Sequence, residues 1–130
     1  MLIPTTLTLA AAAILINLWH FIRIVRVRLK AKVIHGDGGL ELLARRMRAH
    51  ANFIENAPLT LILIAAIELS GKGGSWLAIA GALFMLTRIA HGFGMDRDGE
   101  NVIRSAGVRG TLRIQVGHRA AAVLIAVGRF

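Results

Sequence analysis

No cysteine occurs among the 130 residues, which excludes disulfides, a cysteine nucleophile and thiolate metal sites. Any sulfur chemistry must use a thiol brought by a ligand. Tyrosine is also absent, and acidic residues are scarce, seven against sixteen Lys and Arg for a formal net charge of +9. Polar side chains as a whole are few. At 55% hydrophobic residues and a mean hydropathy of +0.63, the chain is too apolar for a soluble fold of this size and belongs in a bilayer. Its length suits one domain, residues 1–130, and there is no internal repeat or low-complexity tract. A basic chain can bind nucleic acid, but these cations lie between apolar runs and form no basic face, so nucleic acid is not expected as a partner.

Metal and phosphate sites are not expected either. His20, His35, His50 and His118 have no metal-ligand spacing. Gly36-Asp37-Gly38-Gly39 lacks the strand, helix and Lys of a phosphate-binding loop. Asp96, Asp98 and Glu100 are too few and too close for a calcium loop and read as a solvated turn.

What the chain does have is four apolar runs: Ile3 to Ile22, Asn52 to Ile67, Gly74 to Thr87 extending towards Met95, and Thr111 to Val127. Each is near the roughly 20 residues that a helix needs to cross a bilayer. The fold class expected is therefore an all-α, up-down bundle of four transmembrane helices. Eight Lys and Arg fall between Arg23 and Arg48 and five between Arg88 and Arg113, leaving only Lys72, Arg119 and Arg129 elsewhere. The positive-inside rule then places both long loops in the cytoplasm and both termini outside, which in a bacterial inner membrane means the periplasm. Leu9-Ala10-Ala11-Ala12-Ala13 offers a signal-peptide alternative, but no cation precedes the run and its apolar pattern continues to Trp19.

The most informative segment is Arg48-Ala49-His50-Ala51-Asn52-Phe53-Ile54-Glu55-Asn56-Ala57-Pro58, which opens the second span. Charged groups are costly in hydrocarbon and mark function when they are found there. At 3.6 residues per turn Arg48, Asn52 and Glu55 form one polar stripe, suited to a zwitterionic ligand. The up-down topology brings further polar residues to the same level: Arg23, Arg26 and Arg28 at the end of span one, Arg88 and His91 at the end of span three, and Arg104, Ser105, Arg109 and Arg113 before span four. The expected result is an arginine-rich cavity that grips a ligand with several carboxylates or phosphates. Glu55 would receive an ammonium group.

Arg48-Ala49-His50-x-Asn52-x-x-Glu55, with Arg88-Ile89-Ala90-His91 on the third helix and Arg104-Ser105 before the fourth, resembles the membrane-associated proteins in eicosanoid and glutathione metabolism. The match is closest to uncharacterised bacterial members. The resemblance covers nearly the whole chain and implies a homotrimer with glutathione bound between neighbouring subunits. It implies that Arg48, Asn52 and Glu55 hold the peptide, that Arg88 and His91 line the site, and that Arg26 or Arg28 approaches from the first helix. Arg104 and Ser105 match the pair beside the sulfur. A guanidinium in a low-dielectric site lowers the thiol from its usual value of about 8.5 and favours the thiolate nucleophile. The function implied is a glutathione transferase or peroxidase acting on a lipophilic substrate from the bilayer, with membrane lipids as surroundings.

The chain departs from the family pattern in lacking tyrosines, with Asn56 and Met95 in their places, and in having Ala51 where one branch carries another arginine. Blander roles are available for the same residues. Arg48, Asn52 and Glu55 can form an interhelical clamp, Arg26, Arg28, Lys30 and Lys32 a topology signal on anionic lipid, Arg88 a snorkelling cation and Ser105 a helix cap. The alternative function is thus a non-catalytic trimer that binds lipid or a small anion.

Overall fold

A computed structural model describes residues 2–97 and 102–129, apart from the side chain of Arg104. Its elements are four helices, α1 (Pro4–Ala31), α2 (Glu41–Leu69), α3 (Ser75–Gly94) and α4 (Val102–Ala126). Pro4 opens α1 at a position where a missing N–H costs nothing. The residues Lys32, Gly36, Gly38 and Gly39 take positive φ in the first connection, and Gly71 and Gly74 do so in the second. The helices run past the apolar segments towards the basic end: α1 continues nine residues beyond Ile22, and α4 starts nine before Thr111. Charged residues there cap and extend helices that need hydrocarbon only along their middle.

Each helix buries one face at alternating steps of four and three residues, as knobs-into-holes packing of a bundle requires. In α1 the face is Leu9, Ala13, Ile16, His20 and Arg23, and in α3 it is Leu77, Gly81, Phe84, Arg88 and His91. Gly81 admits Leu9, Gly92 admits Trp19 and His20, and Gly107 lies against the backbone of His91. These contacts make α1 parallel to α3 and antiparallel to its chain neighbours. Among the described residues α1 and α4 do not touch, so α2 and α3 form the short diagonal of the bundle.

The burial pattern is that of a protein in lipid. Leu7, Ile14, Leu15, Ile62, Leu86 and Val123 are exposed, whereas His20, Arg23, Arg88, His91 and His118 are buried. An extensive apolar exterior, with charged and imidazole side chains held inside beside the hydrophobic core, suits surroundings from which water is excluded. Three helices, α1 to α3, are long and apolar enough to cross a membrane. The fourth has the length at 25 residues, but Arg109, Arg113 and Arg119 occupy exposed positions on it, which dilutes the apolar signal of the expected fourth span. Inside α2, Pro58 leaves the Ile54 carbonyl without its helical donor.

The two ends of the α1–α2 pair are tied differently. Away from the basic end, Glu68 accepts the backbone N–H groups of Thr5 and Thr6, both at 2.8 Å, and the Thr6 hydroxyl at 2.7 Å. A carboxylate at a helix N-terminus satisfies orphan donors and opposes the helix dipole.

Candidate functional site

The site grows from Arg88, a residue on the buried face of α3 that is only 3% exposed. A guanidinium at that depth needs acceptors, and it finds them on two other helices. It donates to Asn52 Oδ1 of α2 and, at 3.0 Å, to the Gly107 carbonyl of α4. Phe84 lies beneath it at 5.9 Å. The network continues along α2 and α4. Asn56 donates to the Asn52 carbonyl at 2.7 Å, and Gln115 donates to Asn56 Oδ1 and Thr60 Oγ1, each at 3.1 Å. Thr87 and Thr111 share a hydroxyl contact at 2.9 Å.

These groups line a groove of about 140 Å³ between α2 and α4, with Arg88 at its base and Val108, Leu112 and Gln115 along its wall. Arg48 and Glu55 flank it on the open surface, 3.8 Å apart, with side chains 66% and 55% exposed. The stripe read from the sequence thus exists, and it splits by function: Asn52 turns inward to Arg88, while Arg48 and Glu55 remain available to solvent or a ligand. Among the described residues, the arginine that lines this groove is Arg88, with Arg23 and Arg46 engaged elsewhere. The groove is open and well below the roughly 300 Å³ at which ligand pockets begin.

A second charged cluster sits nearer the loops. Arg46 of α2 holds Asp96 through Nε to Oδ1 at 3.0 Å and Nη2 to Oδ2 at 3.1 Å, and it donates to the Arg23 carbonyl at 3.1 Å. Arg23 of α1 pairs with the same carboxylate, donates to the Gly92 carbonyl at 3.2 Å from both terminal nitrogens, and lies 4.3 Å over the Trp19 ring. Partial burial pushes the Asp96 carboxyl up, but hydrogen bonds from Arg46 and Arg23 outweigh it and hold the group below the usual carboxylate range. Asp96 is therefore an ion-pair hub, not the solvated turn residue that its setting suggested. Asp98 and Glu100 of that turn lie outside the described residues.

The remaining candidates divide. His91 is buried one turn from Arg88, against Gly107. Arg26 is exposed. Arg28 turns into the first connection, donating to the Ile34 carbonyl at 3.2 Å and to the Met47 sulfur at 3.4 Å. The α1 arginine that is buried is Arg23. Ser105 is half-buried in the first turn of α4, beyond the cap position, and its carbonyl accepts from Arg109. The Arg104 side chain lies outside the described residues.

Sequence reading gave no role to Arg46, Gln115 or the inward face of His20. A signal existed for His20: with Arg23 it continues the four-three spacing set by Leu9, Ala13 and Ile16, so the pattern alone turns it inward. His20 stacks on His50 with ring centroids 5.8 Å apart, and His50 Nε2 meets Asn17 Oδ1 at 2.8 Å.

Two curated relatives match the chain, each an inner membrane protein YecN, one from Escherichia coli strain K12 and one from Escherichia coli O6:H1. Each is 31% identical over 71 residues, covering 55% of this chain and 54% of the relative. The chain thus spans about half the length of the curated relatives it matches. The model of the MAPEG family matches residues 6–124, from the first turn of α1 to the last turns of α4. With its apolar exterior and a polar layer buried across α2, α3 and α4, this chain is an integral membrane protein that belongs to the MAPEG family.

Proposed function

We propose that the protein binds glutathione at the basic end of the α2–α4 groove and uses it as a transferase or peroxidase on apolar electrophiles from the bilayer. The observation that carries this reading is the placement of Arg48 and Glu55, one cation and one anion at 3.8 Å on an open surface, directly beside the buried Arg88–Asn52 pair. A tripeptide with two carboxylates and one ammonium complements that arrangement. Arg104 and Ser105, carried over from the family pattern, would favour the thiolate. The thiolate forms a carbon–sulfur bond as the displaced group leaves with its electron pair, or reduces a peroxide to an alcohol as its sulfur is oxidised.

The open groove and the exposed arginines of α4 support a homotrimer. Arg109 and Arg113 point away from the chain's own core, where lipid contact would be costly, and a neighbouring subunit would cover them and close the site. The relatives' names and the cation distribution support a bacterial inner membrane with both termini periplasmic and both long loops cytoplasmic.

One observation favours a non-catalytic reading: Arg88 is already satisfied within the chain by Asn52 and Gly107, as a structural clamp would be. Thiolate formation separates the two. Glutathione added to the detergent-solubilised protein should give ultraviolet thiolate absorbance that is lost in Arg104→Ala. Calorimetry should show binding weakened about 10- to 100-fold in Arg48→Ala and Glu55→Ala, the range for loss of a charged hydrogen bond. Equal binding by all three proteins would move the site elsewhere, and binding without thiolate would leave the non-catalytic reading.

A further inference from the structure

Gln115 closes one end of the α2–α4 groove. Beyond it, towards the short α2–α3 connection, lies a separate cavity of about 40 Å³ lined by Leu59, Thr60, Leu63, Gln115, His118 and Arg119. That volume holds one or a few water-sized groups. His118 is 2% exposed, and its Nδ1 lies 2.8 Å from the Ile114 carbonyl. A carbonyl only accepts, so Nδ1 carries a proton, and in the tautomer this bond selects Nε2 is the acceptor. Nε2 is buried with no hydrogen-bond partner among the described residues. A buried acceptor that the protein itself does not satisfy is stabilised by a donor from outside the chain.

The groups around it define that donor. Thr60 is committed: its hydroxyl donates to the Asn56 carbonyl at 2.9 Å and accepts from Gln115. The Gln115 amide donates twice from Nε2, so Oε1 is a second acceptor. Arg119 is exposed at the cavity's rim and makes no ion pair among the described residues. The cavity thus presents two acceptors inside and one cation at its mouth. Leu59 of the lining is exposed, and Val116 and Val123, one turn to either side of Arg119 on α4, are exposed apolar residues. Trp76, the second residue of α3, has its ring centroid 6.4 Å from that of His118, and Thr60 lies nine residues from the end of α2, or roughly 13 Å along the axis. A site within two to three turns of the helix end lies in the outer part of one leaflet, below the headgroup layer and within reach of a headgroup that dips inward.

We propose that this cavity is a lipid-headgroup subsite: it takes a glycerophospholipid whose phosphate pairs with Arg119 and whose ammonium or hydroxyl group donates to His118 Nε2. The acyl chains lie over Leu59 and Val123. The subsite stands apart from the thiol reading and is independent of it, since Gln115 separates it from the Arg88 groove. A basic pocket between helices is a recurrent way to hold a headgroup, and here the buried imidazole adds selection for headgroups that carry a donor.

Native mass spectrometry of the detergent-released protein tests this, with phosphatidylethanolamine, phosphatidylglycerol and phosphatidylcholine titrated separately. The first two carry donors beside the phosphate and the third does not. The expected result is about tenfold tighter retention of the first two, the scale of one hydrogen bond to a buried group. Arg119→Gln, at an exposed position and expected to fold, should weaken all three about tenfold. His118→Phe should bring the first two down to the level of phosphatidylcholine. If that variant does not fold, the headgroup series and Arg119→Gln still decide. Equal retention of the three lipids, unchanged binding by Arg119→Gln, or displacement of phosphatidylethanolamine by millimolar inorganic phosphate would each overturn the proposal.

Discussion

Arg46 grips Asp96 with two parallel hydrogen bonds, at 3.0 and 3.1 Å, across 50 residues of sequence. Because Arg23 shares the carboxylate, one acid pairs with two arginines and fastens α1 and α2 to the end of α3. Removing it leaves a buried cation without a counter-ion, the costly half of breaking such a pair. Asp96 is itself partly exposed, so solvent offsets some of the loss. Asp96→Asn should destabilise the detergent-solubilised protein by roughly 1–3 kcal/mol, read as a lowered Tm. An unchanged Tm would remove Asp96 from the role of hub.

The same carboxylate sets a pH limit. Its pKa in the folded protein is below the ordinary value, so its contribution is fully present above the ordinary carboxylate value of about 4 and is lost as pH falls through the folded-state value. Thermal unfolding should therefore be insensitive to this group from pH 7 to about 5 and weaken at lower pH. The Asp96→Asn protein should have a shallower acid limb. Parallel acid limbs in the two proteins would assign acid sensitivity to other groups.

Arg88 and Asn52 form a pair that should respond asymmetrically. Asn52→Ala removes one acceptor and leaves the buried guanidinium with the Gly107 carbonyl, an expected cost of roughly 1–3 kcal/mol. Arg88→Lys keeps the charge but not the fork that reaches two helices, so it should also lower Tm. A Tm matching the unmodified protein in both variants would show that the α2–α3–α4 junction does not depend on this contact.

Close helix contacts give a graded test. A Cβ on Gly107 would meet the His91 backbone nitrogen at 2.9 Å, whereas one on Gly81 would meet the mobile end of Leu9. Backbone cannot move aside as a leucine tip can. Gly107→Ala should cost about 1–3 kcal/mol and Gly81→Ala less, as compared by thermal unfolding. A reversed order would mean that α4 can slide on α3.

Glu68 supplies a prediction without a ligand. In Glu68→Ala the Thr5 and Thr6 amides lose their acceptors, and their hydrogen exchange should accelerate while that of the α1 middle does not. Exchange unchanged at both amides would show that α1 is held by packing alone.

Much of the fold was legible because its physics is periodic. Apolar runs gave four helices, and the spacing of Arg48, Asn52 and Glu55 gave one face of α2. Helix ends were less legible, since Arg23, Arg26 and Arg28 interrupt hydropathy without interrupting the helix. Pairing was least legible. Nothing near Asp96 signals that its partners lie 50 and 73 positions earlier, and an acidic turn looks the same whether water or arginine faces it. His118 has no metal-ligand spacing to mark it, yet its place one turn after Gln115 on α4 seats it in the cavity.

Pro58 has a mechanical consequence. It removes one rung from the hydrogen-bond ladder of α2, while the carboxylates of Glu68 and Asp96 anchor that helix to α1 near opposite extremities. A rod pinned at both tips and weakened between them bows at the weak point. The compliant stretch opens on an apolar recess lined by Ala13, Ile14, Phe53 and Leu61, so a hydrophobic molecule arriving sideways through the bilayer meets the protein where it yields most easily.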